Sequence, residues 1–373
     1  MDRASVPLER HLTGNGGSFV SSTILACSER QGMKKVLGMV AFLAGTGVVV
    51  GLVARQGAGE VASAVSSFRW GLVWISLYHL APLALNAAAW RAIIPASSRA
   101  PFTTVLWIRW ICESVNNLLP VGQMGGDVVR ARLGAWAGAP GPRAAASVIA
   151  DYTAGLLSEV VFAGAGFGLF LVVGGKLERI GGLLLGLGVF ALCIVGFFIA
   201  QRRGIAGVAR IASFSLKDDA RLSIQGGARA VEEELTRIYG NRRRFLICCG
   251  WRFLGWMIGA GETYLAFVFL GKPSALLEAL TIESLVQAAR SAAFFVPGAV
   301  GVQESVLLLL GSTAGLDPAS ALSLSLVKRV RELALGIPGL LAWQSVEGRR
   351  FLGWRRSAGA RSSAPQREEA RER

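Results

Sequence analysis

Apolar residues gather into long runs along this chain, and polar ones are confined to the ends, a few connectors and a small set of interior positions. A helix that crosses a membrane needs about 20 apolar residues. The runs at 36–54, 70–90, 148–173, 180–200 and 245–270 are of that length. A sixth, 318–346, is apolar at both ends but carries Lys328, Arg329, Arg331 and Glu332 in its middle. Two compound regions, 101–140 and 276–316, lie between these runs. Each has an apolar arm, a proline–glycine break and a second arm.

The two breaks carry the same punctuation. Leu118-Leu119-Pro120-Val121-Gly122-Gln123-Met124-Gly125-Gly126-Asp127 and Phe295-Val296-Pro297-Gly298-Ala299-Val300-Gly301-Val302-Gln303-Glu304 stand 177 positions apart. In both, a carboxylate follows the proline by seven places. Proline and clustered glycine end helices. Broken helix is tolerated in a bilayer only where protein or a water-filled cavity satisfies the freed backbone groups. A matched pair of breaks, one in each half, is the sequence pointer to a transporter's binding site.

Charge sets the topology. Only 17% of the 373 residues are charged, against about 25% in a soluble domain. Five of the 39 basic residues lie in 1–35, ten in 201–244 and eight in 347–373. With the N-terminus inside and each compound region entering and leaving on one side, all these segments fall on the cytoplasmic face, as the positive-inside rule requires. The outer loops 55–69, 174–179 and 271–275 then hold two, two and one basic residues. The expected fold is an all-α polytopic integral membrane protein. About six spanning helices and two re-entrant hairpins, near 101–140 and 276–316, form an inverted-repeat-like arrangement. The bacterial cytoplasmic membrane is the expected location, with both termini cytoplasmic. The membrane domain covers 34–348. Residues 1–33 read as a disordered cytoplasmic extension, with Met33-Lys34-Lys35 resembling a natural start, and 349–373 read as a basic disordered tail. Within 201–244, Ile224, Ala228, Val231, Leu235 and Ile238 recur at helical spacing. They predict an amphipathic helix, either lying on the inner surface or serving as a connector.

The net charge of +15 suggests nucleic acid at first sight, but its placement in membrane flanks and the lack of a recognition motif argue against that partner. The five cysteines form no CxxC pair, and the two histidines are too few for a histidine metal centre, so no metal, cofactor or disulfide framework is expected. His79 reads as a satisfied core histidine.

Charged residues at membrane depth cost about 2.5–3.5 kcal/mol each. This chain keeps many, among them Arg109, Glu113, Asp127, Arg130, Asp151, Glu159, Arg252, Glu262, Glu283, Arg290, Glu304 and Arg329. An internal polar cavity accounts for so many; mutual pairing, such as Glu113 with Arg109 at i, i+4, is the structural alternative. The helix opening at Gly125-Gly126-Asp127 presents amides that suit an anionic group, and Arg130 and Arg132 add guanidinium donors. Gly298 and Gly301 allow close backbone approach, with Gln303 and Glu304 as polar partners. The candidate substrate-binding residues are Asn116, Asn117, Pro120, Gly125, Gly126, Asp127, Arg130, Pro297, Gly298, Gly301, Gln303, Glu304 and Arg329. No catalytic residue is assigned.

These segments carry a likeness. Asn116-Asn117-Leu118-Leu119-Pro120 with Gly125-Gly126-Asp127-Val128-Val129-Arg130, and Phe294 through Glu304, resemble the two signature segments of the lysylphosphatidylglycerol synthase transmembrane-region family, also described as flippase-like. The second string is similar to the hopanoid-biosynthesis-associated branch, HpnL. The likeness covers about 34–348 and implies a lipid-handling domain with two re-entrant hairpins lining a cavity. The full synthases add a soluble aminoacyl-transferase domain, for which about 27 residues after the last run leave no room, so the synthase activity is not carried over. The expectation is a flippase-like transporter of an amphiphilic lipid, a hopanoid or a phospholipid, with lipid-biosynthesis proteins as partners. An intramembrane lipid-modifying enzyme and an ion or small-solute transporter remain as alternatives.

Overall fold

A computed structural model describes residues 68, 70–95, 98–119, 124–172, 218–271, 276–294, 296, 299–312 and 316–362, with isolated positions between 181 and 204. The expected run at 36–54, the extension before it and most of 180–200 lie outside the described residues, as do Pro120, Pro297 and Gly298.

Every regular element among the described residues is a helix: α1 (Gly71–Tyr78), α2 (Leu80–Ile93), α3 (Phe102–Leu118), α4 (Gly125–Trp136), α5 (Gly141–Val172), α6 (Asp218–Gly240), α7 (Arg242–Phe269), α8 (Leu276–Ala292), α9 (Val302–Gly311) and α10 (Pro318–Ser362). Breakers in the sequence explain the boundaries. Pro82 has no N–H to give the Tyr78 carbonyl, and α1 parts from α2 at His79. Leu119, ahead of Pro120, is extended with φ −97° and ψ 142°, and α3 stops there. Gly301, at φ 87°, starts α9 in a conformation that favours glycine.

Residues 71–93 and Gly141–Val172 are long and apolar enough to cross a membrane by length and composition. Helix α7 has the length, 28 residues, but carries buried Arg252 and Glu262. In the compound regions the second arms are short: α4 has 12 residues and α9 has 10. At 1.5 Å per residue these are about 18 and 15 Å long, well under a hydrocarbon core of about 30 Å.

Part of the packing maps onto itself when α2–α5 are exchanged with α7–α10. Helix α2 packs on α7; α3 packs on α2, α4 and α10, and correspondingly α8 packs on α7, α9 and α5. Helices α4 and α9, and likewise α5 and α10, begin 177 positions apart. Close approach depends on small residues. A Cβ on Gly126 would stand 2.1 Å from the Cys112 carbonyl oxygen, and one on Gly166 would stand 1.6 Å from Ser284 Oγ.

Burial is inverted relative to a soluble protein. Trp70, Trp74, Val172, Leu246 and Leu341 are exposed, whereas Arg130, Asp151, Gln303, Glu304 and Lys328 are buried. An apolar exterior around a charged interior is what a bilayer demands. The predicted amphipathic segment forms part of α6, whose Leu235 and Ile238 join the core with α2, α3 and α5. There Arg143 donates twice to Glu234, at 3.0 and 3.2 Å. These hydrogen bonds hold the Glu234 carboxyl below the usual range. Helix α10 continues through Ser362 into the basic segment.

Candidate functional site

Two charged clusters sit inside the bundle. The first centres on Asp151 of α5. Its Oδ2 accepts from Arg130 Nη1 at 2.5 Å and from Arg252 Nη2 at 3.1 Å, with Arg109 Nη1 at 3.5 Å. Arg130 also pairs with Asp127 at 2.7 Å and lies over the Trp90 ring. Asn116 Oδ1 accepts the Gly126 amide at 2.6 Å, so one N-terminal donor of α4 is satisfied from α3.

The second cluster gathers around Glu304 and Glu332. Glu304 Oε2 accepts the Gly301 amide at 2.7 Å, and its Oε1 accepts from Ser325 at 2.8 Å and Arg329 Nε at 3.3 Å. Glu332 accepts from Arg290 at 3.0 Å and Arg329 at 2.9 Å, and Arg290 also donates to Gln303. Lys328 pairs with Glu283. A wedge joins the clusters: His79 Nε2 meets Glu113 at 2.7 Å and its Nδ1 meets Glu262 at 3.0 Å, while Arg331 pairs with Glu262 at 2.9 Å.

These groups enclose a polar cavity of about 220 Å³, lined by α2, α3, α7, α8 and α10. Arg109, Arg252, Arg290, Lys328 and Arg331 face it with Glu113, Glu262, Glu283 and Glu332, besides His79 and several amides. A second cavity of about 160 Å³ shares part of its wall and reaches Asp127, Tyr152 and Glu159. Among the described residues, no group of three or more His, Cys, Asp or Glu is placed to hold a metal ion.

Of the residues expected to bind substrate, Asn116, Asn117 and Asp127 line a cavity. Gly125, Gly126 and Arg130 stand with them in the first cluster. Gly301, Gln303, Glu304 and Arg329 form the second, one layer behind the cavity wall. Arg132 pairs with Glu347 at 3.1 Å and is more than half exposed. The i, i+4 pairing of Glu113 with Arg109 does not form: Glu113 turns to His79, and Arg109 turns to Asp151. Sequence reasoning passed over Asn86, Trp256 and Gln287. Their only signal was polarity or an indole within an apolar run.

The fold and its charged interior define a helical membrane protein with a polar cavity among its helices. The chain belongs to the family described as the lysylphosphatidylglycerol synthase TM region, whose model matches residues 38–339. It is also similar to the UPF0104 membrane protein PH1989 of Pyrococcus horikoshii, at 25% identity over 296 residues, covering 74% of this chain and 86% of that protein.

Proposed function

We propose that this protein is a flippase-like lipid transporter of the cytoplasmic membrane. It moves an amphiphilic lipid, a hopanoid derivative or a phospholipid, across or out of that membrane, and performs no covalent chemistry. The observation that carries this reading is the 220 Å³ charged cavity among the helices. A buried store of opposite charges shelters a polar head group while the apolar exterior leaves the tail in lipid. The two broken hairpins act as re-entrant elements from opposite faces, and their exchange between two packings opens the cavity to each leaflet in turn. The likeness of the second break to the hopanoid-associated branch supports a hopanoid among the cargoes.

The test is leaflet transfer of a fluorescent phospholipid in proteoliposomes, read by reductant quenching. Gly259 lines the cavity, and a Cβ there would meet no atom within 4 Å. Gly259→Trp therefore fills the passage without a clash at its base. Transfer by the wild type that is lost in Gly259→Trp supports the proposal. Wild-type transfer no faster than in protein-free vesicles refutes it.

A further inference from the structure

The two cavities share five wall residues: Arg109, Asn116, Arg252, Trp256 and Gln287. Three of these carry a buried N–H with no protein acceptor, namely Arg109 Nε, Arg252 Nε and Trp256 Nε1. Buried donors are seldom left open, and each costs about 1–3 kcal/mol when it is. They come from α3 and α7, so no single helix terminus or local turn explains them.

The acceptors nearby are engaged, apart from Glu262 Oε1, which lies in ion-pair range of Arg331 but accepts no hydrogen bond. Glu113 and Glu262 meet His79, Glu283 takes Lys328, Glu332 takes Arg290, and Glu159 accepts from Ser291. What the shared wall leaves over is donors. Arg109, Arg130 and Arg252 gather around Asp127 and Asp151, with Glu159 on the wall of the second cavity, so three guanidinium groups stand among three carboxyl groups. A ligand that completes this wall accepts hydrogen bonds at several oxygens, and two of the three open donors are guanidinium groups that favour an anion.

We infer that the wall between the two cavities is an oxyanion site for a phosphate or phosphate-like group, held by Arg109 Nε, Arg252 Nε and Trp256 Nε1. The Asn116 amide, whose Nδ2 makes only a long contact of 3.9 Å to Cys112 Sγ, supplies a further donor. The Nη groups of Arg109 and Arg252 are engaged by Asp151 and, for Arg252 Nη1, by Asn86, and both Nε groups are buried without a protein acceptor. Asp151 thus fixes the orientation of both arginines before the ligand arrives, which lowers the entropic cost of binding. As the head-group site of a transporter this inference rests on the proposed function. As an oxyanion site it stands on the donors alone.

The full chain in phosphatidylcholine nanodiscs is titrated with inorganic phosphate by calorimetry. In parallel, discs containing phosphatidic acid are examined by native mass spectrometry for retained lipid. Two variants leave the carboxylates intact: Trp256→Phe removes only the indole N–H and keeps a ring to stack on Phe162, and Arg109→Lys keeps the charge but loses the Nε donor. Saturable binding of either probe is expected, weakened roughly ten-fold in each variant with unfolding midpoints near the wild type. Phosphatidic acid retained without phosphate binding identifies a lipid head group; the reverse identifies a free anion. Binding of neither probe, or unchanged affinity in both variants, overturns the site. Lipid transfer without oxyanion binding overturns this inference and leaves the transport reading standing. Oxyanion binding without transfer does the opposite.

Discussion

Replacing Asp151 by asparagine keeps the shape of the side chain and removes one charge from the centre of three guanidinium groups. Asp151 is fully buried, with contacts of 2.5, 3.1 and 3.5 Å to Arg130, Arg252 and Arg109. Arg130 retains Asp127 at 2.7 Å. Among the described residues, Arg109 and Arg252 have no second carboxylate in ion-pair range. Two lost charge-assisted contacts at about 1.5–3 kcal/mol each come to about 3–6 kcal/mol. Buried ion pairs broken on one side cost about 3–5 kcal/mol. The two routes agree on about 4 kcal/mol. Because asparagine fills the same volume, no cavity contribution enters. The assay is unfolding in mixed micelles titrated with sodium dodecyl sulfate, followed by tryptophan fluorescence. Adding Arg109→Met to Asp151→Asn removes one stranded charge and recovers at least about 1 kcal/mol by the logic of a double-mutant cycle. An Asp151→Asn protein within about 0.5 kcal/mol of wild type, the range of ordinary surface substitutions, refutes the reasoning.

Three further outcomes follow from the same geometry. Gly126→Ala forces a Cβ to 2.1 Å from the Cys112 carbonyl and abolishes the monodisperse folded species on size-exclusion chromatography; Gly134→Ala, whose Cβ meets Trp90 at 3.5 Å, is tolerated and gains about 0.5–1 kcal/mol from helix propensity. Gly301→Ala, at φ 87°, costs about 1–2 kcal/mol in the micelle unfolding assay, and Glu304→Gln destabilises as well because a buried carboxylate that accepts from Gly301, Ser325 and Arg329 becomes neutral. Outside the membrane, Glu234 has its carboxyl lowered by Arg143, so the pair contributes fully above the unfolded carboxylate value of about 4.3 and its contribution disappears as pH falls through the lower folded value. Being partly exposed it is worth about 0.5–1 kcal/mol; Glu234→Gln lowers stability by that much at pH 7, and the gap from wild type closes in acid.

Much of the architecture is written in the sequence because it depends on local properties. Apolar run length selects membrane helices, Pro82, Pro120 and the glycines mark where helices stop, and the two breaks 177 positions apart announce a likeness between the halves. The crowd of ionisable residues within apolar runs likewise announces a polar interior, since the bilayer charges several kcal/mol for each one left unpaired. Partner choice is not local. His79 reaches Glu262 across 183 positions, and Asp151 collects arginines from α3, α4 and α7. The nearest candidate in sequence, Arg109 for Glu113, lost to these distant groups because both chains point at other helices once the bundle packs. For the same reason Asp127 and Arg130, expected to face a ligand, satisfy each other and Asp151. Buried N–H groups without a protein acceptor remain on Arg109, Arg252 and Trp256 of the shared wall, and on Arg130 at its Nε. Sequence determined that this protein would bury charge inside a membrane. Only the tertiary structure decided which charges pair and which donors stay without a protein acceptor, because Coulomb and hydrogen-bond energies depend on separations of a few ångströms that helix packing alone sets.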